Sequence, residues 1–104
     1  NVMWRYDNVA LMRSLDAPVL WAVAAEDREA PSDVTVRRLL ALRRAGKRID
    51  LYRFPDTDHG MYEFVEAPGG ARTYTRVTEG FFRLVGDWIR GRVARPYGRG
   101  QYLE

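Results

Sequence analysis

The sequence predicts an α/β fold, a doubly wound parallel sheet entered as helix-strand-helix-strand-helix. Three observations lead there. PVLWAVAA at 18–25 is an apolar run too short for a typical helix and without polar alternation, as in strands buried on both faces. VTVRRLLALRRAG at 34–46 follows with helical spacing, and IDLYRF at 49–54 reads as a second strand. Strand, helix and strand in that order make a parallel pair with a crossover, right-handed by the general rule.

The elements justify themselves in order. NVALMRSL at 8–15 is a short helix with Leu11, Met12 and Leu15 on its apolar face, stopped before Pro18. The first strand breaks into the charged loop EDREAPSD at 26–33. Ser32 or Asp33 caps the next helix, whose inner stripe is Val36, Leu39 and Leu40, with Leu42 widening it. Its arginines fall largely outside the stripe, and Gly46 is a natural stop. The second strand alternates only in part, so it is expected nearer the sheet edge than the first. EAPGGARTY at 66–74 reads as an irregular excursion. A last helix is expected over 75–92, from the spacing of Val77, Phe81, Leu84, Val85, Trp88 and Ile89. Residues 93–104 are expected to be a disordered or docking tail.

Length and composition bound the rest. At 104 residues the chain is one domain at most, and 46% hydrophobic residues make it globular rather than disordered. It begins at Asn1 and ends in Leu103-Glu104, which reads as a piece trimmed from a longer protein. No apolar run approaches about 18 residues and no signal peptide is visible, so a soluble chain is expected, the cytoplasm favoured. With no cysteine, disulfides and thiolate metal sites are excluded. The net charge of +3 is compatible with anionic partners without selecting one.

The chemistry-bearing residues sit in two loops. Glu26, Asp27 and Glu29 follow the first strand; Asp56, Asp58 and His59, the only histidine, follow the second. In a parallel sheet both loops leave the same edge, and neighbouring strands bring them side by side. A carboxylate can then hold one imidazole nitrogen while the other moves a proton. Asp58, beside His59, is the rival partner. A metal reading would use His59 and Glu63 with Asp56 or Asp58, but it lacks a second histidine.

In order and spacing, AEDREAP at 25–31 and FPDTDHGM at 54–61 resemble the C-terminal portion of an α/β-hydrolase, of the prolyl-oligopeptidase-like and dienelactone-hydrolase-like serine hydrolases. The family pattern Gly-x-x-Asp-x-x-x-Pro reads here with Ala24 in place of the glycine, then Asp27 and Pro31. The His-Gly motif is His59-Gly60, and GDWIRGR at 86–92 is similar to the family's closing helix. The likeness covers about 8–92, so the chain would be one partial domain with 93–104 as its tail. It implies Asp27 as triad acid and His59 as general base of a peptidase or esterase, with no cofactor or metal.

The nucleophile is missing. Neither Ser14 nor Ser32 lies in a Gly-x-Ser-x-Gly elbow. The expectation is therefore two members of a triad, inactive alone, whose partners are a small-molecule or peptide substrate and the N-terminal remainder of the hydrolase. The free edge of the first strand could instead pair with a second copy. Trp21, Phe81 and Trp88 read as core; Met61, Tyr62 and Phe64 read as pocket lining or local packing. RGRVARPYGRGQY at 90–102 leaves a non-catalytic, basic-tailed interaction module as the alternative, with nucleic acid as a conceivable but disfavoured partner.

Overall fold

A computed structural model describes residues 17–28 and 32–104. In order these form β1 (Val19–Ala24), α1 (Ser32–Arg44), β2 (Ile49–Phe54), β3 (Thr57–Asp58), β4 (Tyr62–Glu66), β5 (Arg72–Val77), α2 (Phe81–Arg90) and β6 (Gln101–Tyr102). The expected helix at 8–15 lies outside the described residues, as do Glu29 and Pro31.

The expected doubly wound parallel sheet is overturned. The described strands divide into a mixed sheet, β1-β2-β6, and a wholly antiparallel sheet, β3-β4-β5. Only β1 and β2 run parallel, in register from Val19 opposite Ile49 to Ala24 opposite Phe54. β6 runs antiparallel to β2, Tyr52 facing Tyr102, so β2 is the central strand and not the one nearer the edge. Among the described residues, β1 pairs with β2 alone.

The antiparallel sheet has a local cause. YEFVE and RTYTRV are short runs rich in aromatic and β-branched residues, separated by Ala67-Pro68-Gly69-Gly70-Ala71. Gly69 and Gly70 both take positive φ, 98° and 95°, and the Ala67 N–H donates to the Ala71 carbonyl at 2.8 Å. A bulge between Glu63 and Phe64 interrupts the ladder. Residues 75–77, expected in the last helix, therefore belong to β5, and Gly80 (φ 88°) precedes the start of α2.

Side chains alternate across β1 and β2, so each face of the mixed sheet is covered. On one face Val23, Ile49 and Leu51 pack with Leu39 and Leu42 of α1. On the other Tyr52 and Phe54 pack with Leu84 of α2 and with Tyr97. Tyr97 is fully buried, its hydroxyl donating to Asp87 Oδ2 at 2.8 Å and accepting the Ala94 N–H at 2.7 Å. Of the expected disordered or docking tail, Tyr97 is thus part of the core and Gln101–Tyr102 dock on β2 as a strand. Arg43 donates to the Leu103 carbonyl at 2.6 Å, and the Leu103 N–H donates to the Leu51 carbonyl at 2.8 Å. No helix among the described residues is long and apolar enough to cross a membrane.

Candidate active site

Asp27 and His59 are brought together by the pairing of the two strands ahead of them. Beyond the last β1–β2 pair the ladder continues into both loops. The Ala25 N–H donates to the Phe54 carbonyl at 3.0 Å, and the Glu26 N–H donates to the Thr57 carbonyl at 2.9 Å. Thirty-two residues apart in sequence, His59 Nδ1 and Asp27 Oδ2 then lie 3.1 Å from each other. The Asp27 side chain is 13% exposed and that of His59 is 55% exposed. The carboxylate is thus largely enclosed, and the imidazole keeps an open side.

The turn carrying His59 is tightly held. Met61 donates its N–H to the Asp58 carbonyl at 3.0 Å and accepts the Thr78 N–H at 2.7 Å. Asp56 and Met61 bracket the histidine with positive φ, 52° and 66°. Each such non-glycine residue costs about 1 kcal/mol, which surrounding bonds must offset.

Asp58, the rival partner, is committed elsewhere. It is buried; its Oδ1 accepts the His59 backbone N–H at 2.6 Å, and its Oδ2 meets Arg72 at 2.8 Å and the Tyr74 hydroxyl at 3.3 Å. Burial alone would raise its carboxyl pKa. Hydrogen bonds from Arg72, the His59 N–H and the Arg28 N–H, with the Arg72 charge, outweigh that and hold it below the usual aspartate range. Asp58 therefore secures the His59 backbone and not its ring. Asp56 is exposed and 3.6 Å from Arg99.

Glu63, offered by the metal reading, faces a different neighbourhood. It is buried against Arg76 Nε at 2.9 Å, Thr78 Oγ1 at 3.3 Å and the Glu79 N–H at 3.0 Å, with Arg99 at 3.6 Å. Burial would raise it, but the Glu79 and Arg76 hydrogen bonds and the charges of Arg99 and Arg76 hold it low. Among the described residues no group of three or more His, Asp or Glu side chains is placed to hold a metal ion.

A cavity of about 230 Å³ opens at the pair. Its walls include Trp21 and Ala22 of β1, Ser32 and Thr35 of α1, and Met61. Ser32 and Thr35 enter this wall because α1 starts just after the Asp27 loop, as expected, but their part in a cavity wall was not read from the sequence. Ala22 and Met61 also border a larger apolar groove of about 430 Å³ between β1 and α2, reaching Phe81, Val85 and Trp88. Trp88 is therefore less an enclosed anchor than a groove wall, its Nε1 donating to Asp50 at 2.8 Å.

The other feature missed in sequence is the β4–β5 hairpin folding over the acid loop. Arg28 donates to Glu66 at 2.6 Å and to the Gly70 carbonyl at 2.9 Å, and Arg72 donates to the Glu26 carbonyl at 2.8 Å. An acidic residue before, and an arginine after, a Pro-Gly-Gly turn was the available signal. Tyr62 and Tyr74 stack on this hairpin with centroids 5.6 Å apart, and both are exposed. Three arginines near the C-terminus are exposed but make contacts within the chain: Arg95 lies over the Tyr102 ring, Arg83 donates to the Pro96 carbonyl, and Arg99 meets Asp56 and Glu63. No protein-family model, curated protein or solved structure matches the chain.

Proposed function

We propose that the chain is the acid- and histidine-bearing segment of a serine hydrolase acting on an ester or peptide bond, with the nucleophilic serine outside it. The observation that carries this reading is the 3.1 Å contact between His59 Nδ1 and Asp27 Oδ2, made by loops leaving adjacent parallel strands at one edge. Asp27 accepts the Nδ1 proton, which puts the ring's lone pair on Nε2, the nitrogen that acts as the base. A serine Oγ attacks the substrate carbonyl carbon as its proton passes to Nε2. His59 then returns that proton to the departing alcohol or amine as the old bond breaks. Water repeats the sequence and releases the acid. Throughout, Asp27 stabilises the imidazolium without being protonated.

The apolar wall of Trp21, Ala22 and Met61 suits an apolar part of the substrate beside the scissile bond. The outer edge of β1 is the surface proposed to receive the rest of the hydrolase. The contacts that Arg95 and Arg99 make with Tyr102, Asp56 and Glu63 of the chain itself favour this reading over the basic-tailed alternative.

A fluorophosphonate serine probe tests the reading, applied to the 104-residue chain and to the polypeptide that includes the sequence preceding it. The short chain is expected to stay unlabelled. The longer one is expected to label, to lose labelling with His59→Ala, and to lose about four orders of magnitude in rate with Asp27→Asn. An unlabelled longer chain, or label on Ser32 of the short one, overturns the proposal.

A further inference from the structure

The Asp27–His59 contact depends on two loops keeping a fixed separation, and the imidazole at its end is 55% exposed. An opening of about half an ångström would take the 3.1 Å contact beyond hydrogen-bond length. The Glu26 N–H bond to the Thr57 carbonyl ties the loops through the backbone, and a side chain next to the pair adds a second tie.

Arg72 is placed to do this. A single terminal nitrogen, Nη1, donates to the Glu26 carbonyl at 2.8 Å and lies 2.8 Å from Asp58 Oδ2. Glu26 immediately precedes Asp27, and Asp58 immediately precedes His59. The two hydrogens of that nitrogen can thus serve both loops, each one residue ahead of the side chain that matters. Asp58 completes the tie by accepting the His59 N–H through its other oxygen at 2.6 Å.

The guanidinium itself cannot wander. Its Nε donates to Glu66 at 3.2 Å, its carbon lies 4.1 Å from the centroid of the Phe64 ring, and its side chain is only 10% exposed. Glu66 is itself gripped by Arg28, the residue following Asp27. Arg76, on the same strand, provides the contrast. It pairs with Glu63 at 2.9 Å and lies 3.8 Å from Glu79, neither of which belongs to the two loops.

We propose that Arg72 is a positioning residue, a two-way donor that sets the distance between the Asp27 carboxylate and the His59 imidazole from outside the pair. This rests on the hydrolase reading for its catalytic meaning, but the positioning can be measured without catalysis. His59 is the only histidine, so a long-range proton–nitrogen correlation on the nitrogen-15-labelled chain reports one imidazole. The chosen readout is the tautomer ratio of the neutral ring, because the bond to Asp27 favours the proton on Nδ1 whereas a free ring favours Nε2.

In the unaltered chain the Nδ1–H form is expected to dominate, and Asp27→Ala is expected to abolish that preference. Arg72→Met is expected to lower the Nδ1–H to Nε2–H ratio at least about fivefold, the order for losing one ordinary hydrogen bond. Arg72→Lys should restore part of it. Arg76→Met, which also breaks an ion pair of the hairpin, should leave the ratio within about twofold if the effect is positional and not general loosening. Should Arg72→Met fail to fold, Arg72→Lys and Asp58→Asn read the same ratio, and both are expected to lower it. A ratio unmoved by all the Arg72 and Asp58 variants that fold, while Asp27→Ala moves it, overturns the role of Arg72 and leaves the pair standing. Equal losses from Arg72→Met and Arg76→Met also overturn it. A ratio unmoved by Asp27→Ala removes the pair, and both proposals with it.

Discussion

Gly98 offers a one-methyl test of whether residues 97–100 rest on the body of the protein. Its φ is 54°, and a Cβ built there would overlap the Glu79 carbonyl oxygen and lie 2.6 Å from the Glu79 carbonyl carbon. Both are backbone atoms, so no rotamer change relieves the clash. The turn would have to move, straining the Gly100 N–H bond to the Tyr97 carbonyl (2.9 Å) and the seat of the Tyr97 ring. Gly91 is the internal control, with φ 69° and nothing within 4 Å of its notional Cβ. A left-handed alanine costs about 1–2 kcal/mol by itself, and that is the expected effect of Gly91→Ala. Gly98→Ala carries the same term plus about 1–3 kcal/mol for the forced displacement, giving about 2–5 kcal/mol. Urea denaturation followed by tryptophan fluorescence, with linear extrapolation, measures both. Equal losses, within about 0.5 kcal/mol, would mean that residues 97–100 do not pack on Glu79 in solution.

Two further outcomes follow from the buried groups. Asp58 and Glu63 both have folded pKa values below their ordinary 3.8 and 4.5, so their stabilisation is fully present above those values and lost as pH falls through the depressed ones. The urea midpoint should therefore drop between about pH 5 and pH 3, less steeply with Asp58→Asn or Glu63→Gln in place; a midpoint constant over that range would contradict the ion-pair assignments. On α2, Leu84→Ala should cost about 3–5 kcal/mol because Leu84 is wholly buried, whereas Phe82→Ala, at a residue 71% exposed, should stay within about 0.5 kcal/mol. Similar values for the two would mean that the helix presents a different face to the sheet.

What could be read in sequence was whatever local pattern decides. The β1–α1–β2 unit announces itself through an apolar run, a helical stripe and a glycine stop, and two loops at one strand edge made Asp27 and His59 natural neighbours. The central position of β2 was hidden by its polar residues, which are satisfied at long range: Asp50 accepts from Trp88 and Tyr102 at 2.8 and 3.3 Å. The β4–β5 hairpin was legible in principle from its alternation around Pro-Gly-Gly. It was lost because Val77, Phe81 and Leu84 fit a helical period that Gly80 in fact interrupts. Nothing local marks Tyr97 as core, since its burial depends on Tyr52 and Phe54 of β2 and on Leu84 of α2. Arg72 was invisible for a similar reason, because its two acceptors come from separate loops that only the completed sheet brings together.

The antiparallel pairing of β6 with β2 has a consequence for the order in which the chain assembles. The β4–β5 hairpin closes over a short turn and forms fast, and β1 and β2, Val19 opposite Ile49, need only residues that precede the hairpin. Tyr52, by contrast, waits for Tyr102 as its partner across the sheet. During synthesis the loops bearing Asp27 and His59 can meet while one edge of β2 still lies bare. That edge is covered only when the last strand has left the ribosome, so until then the nascent chain exposes the backbone of its own central strand to any passing partner.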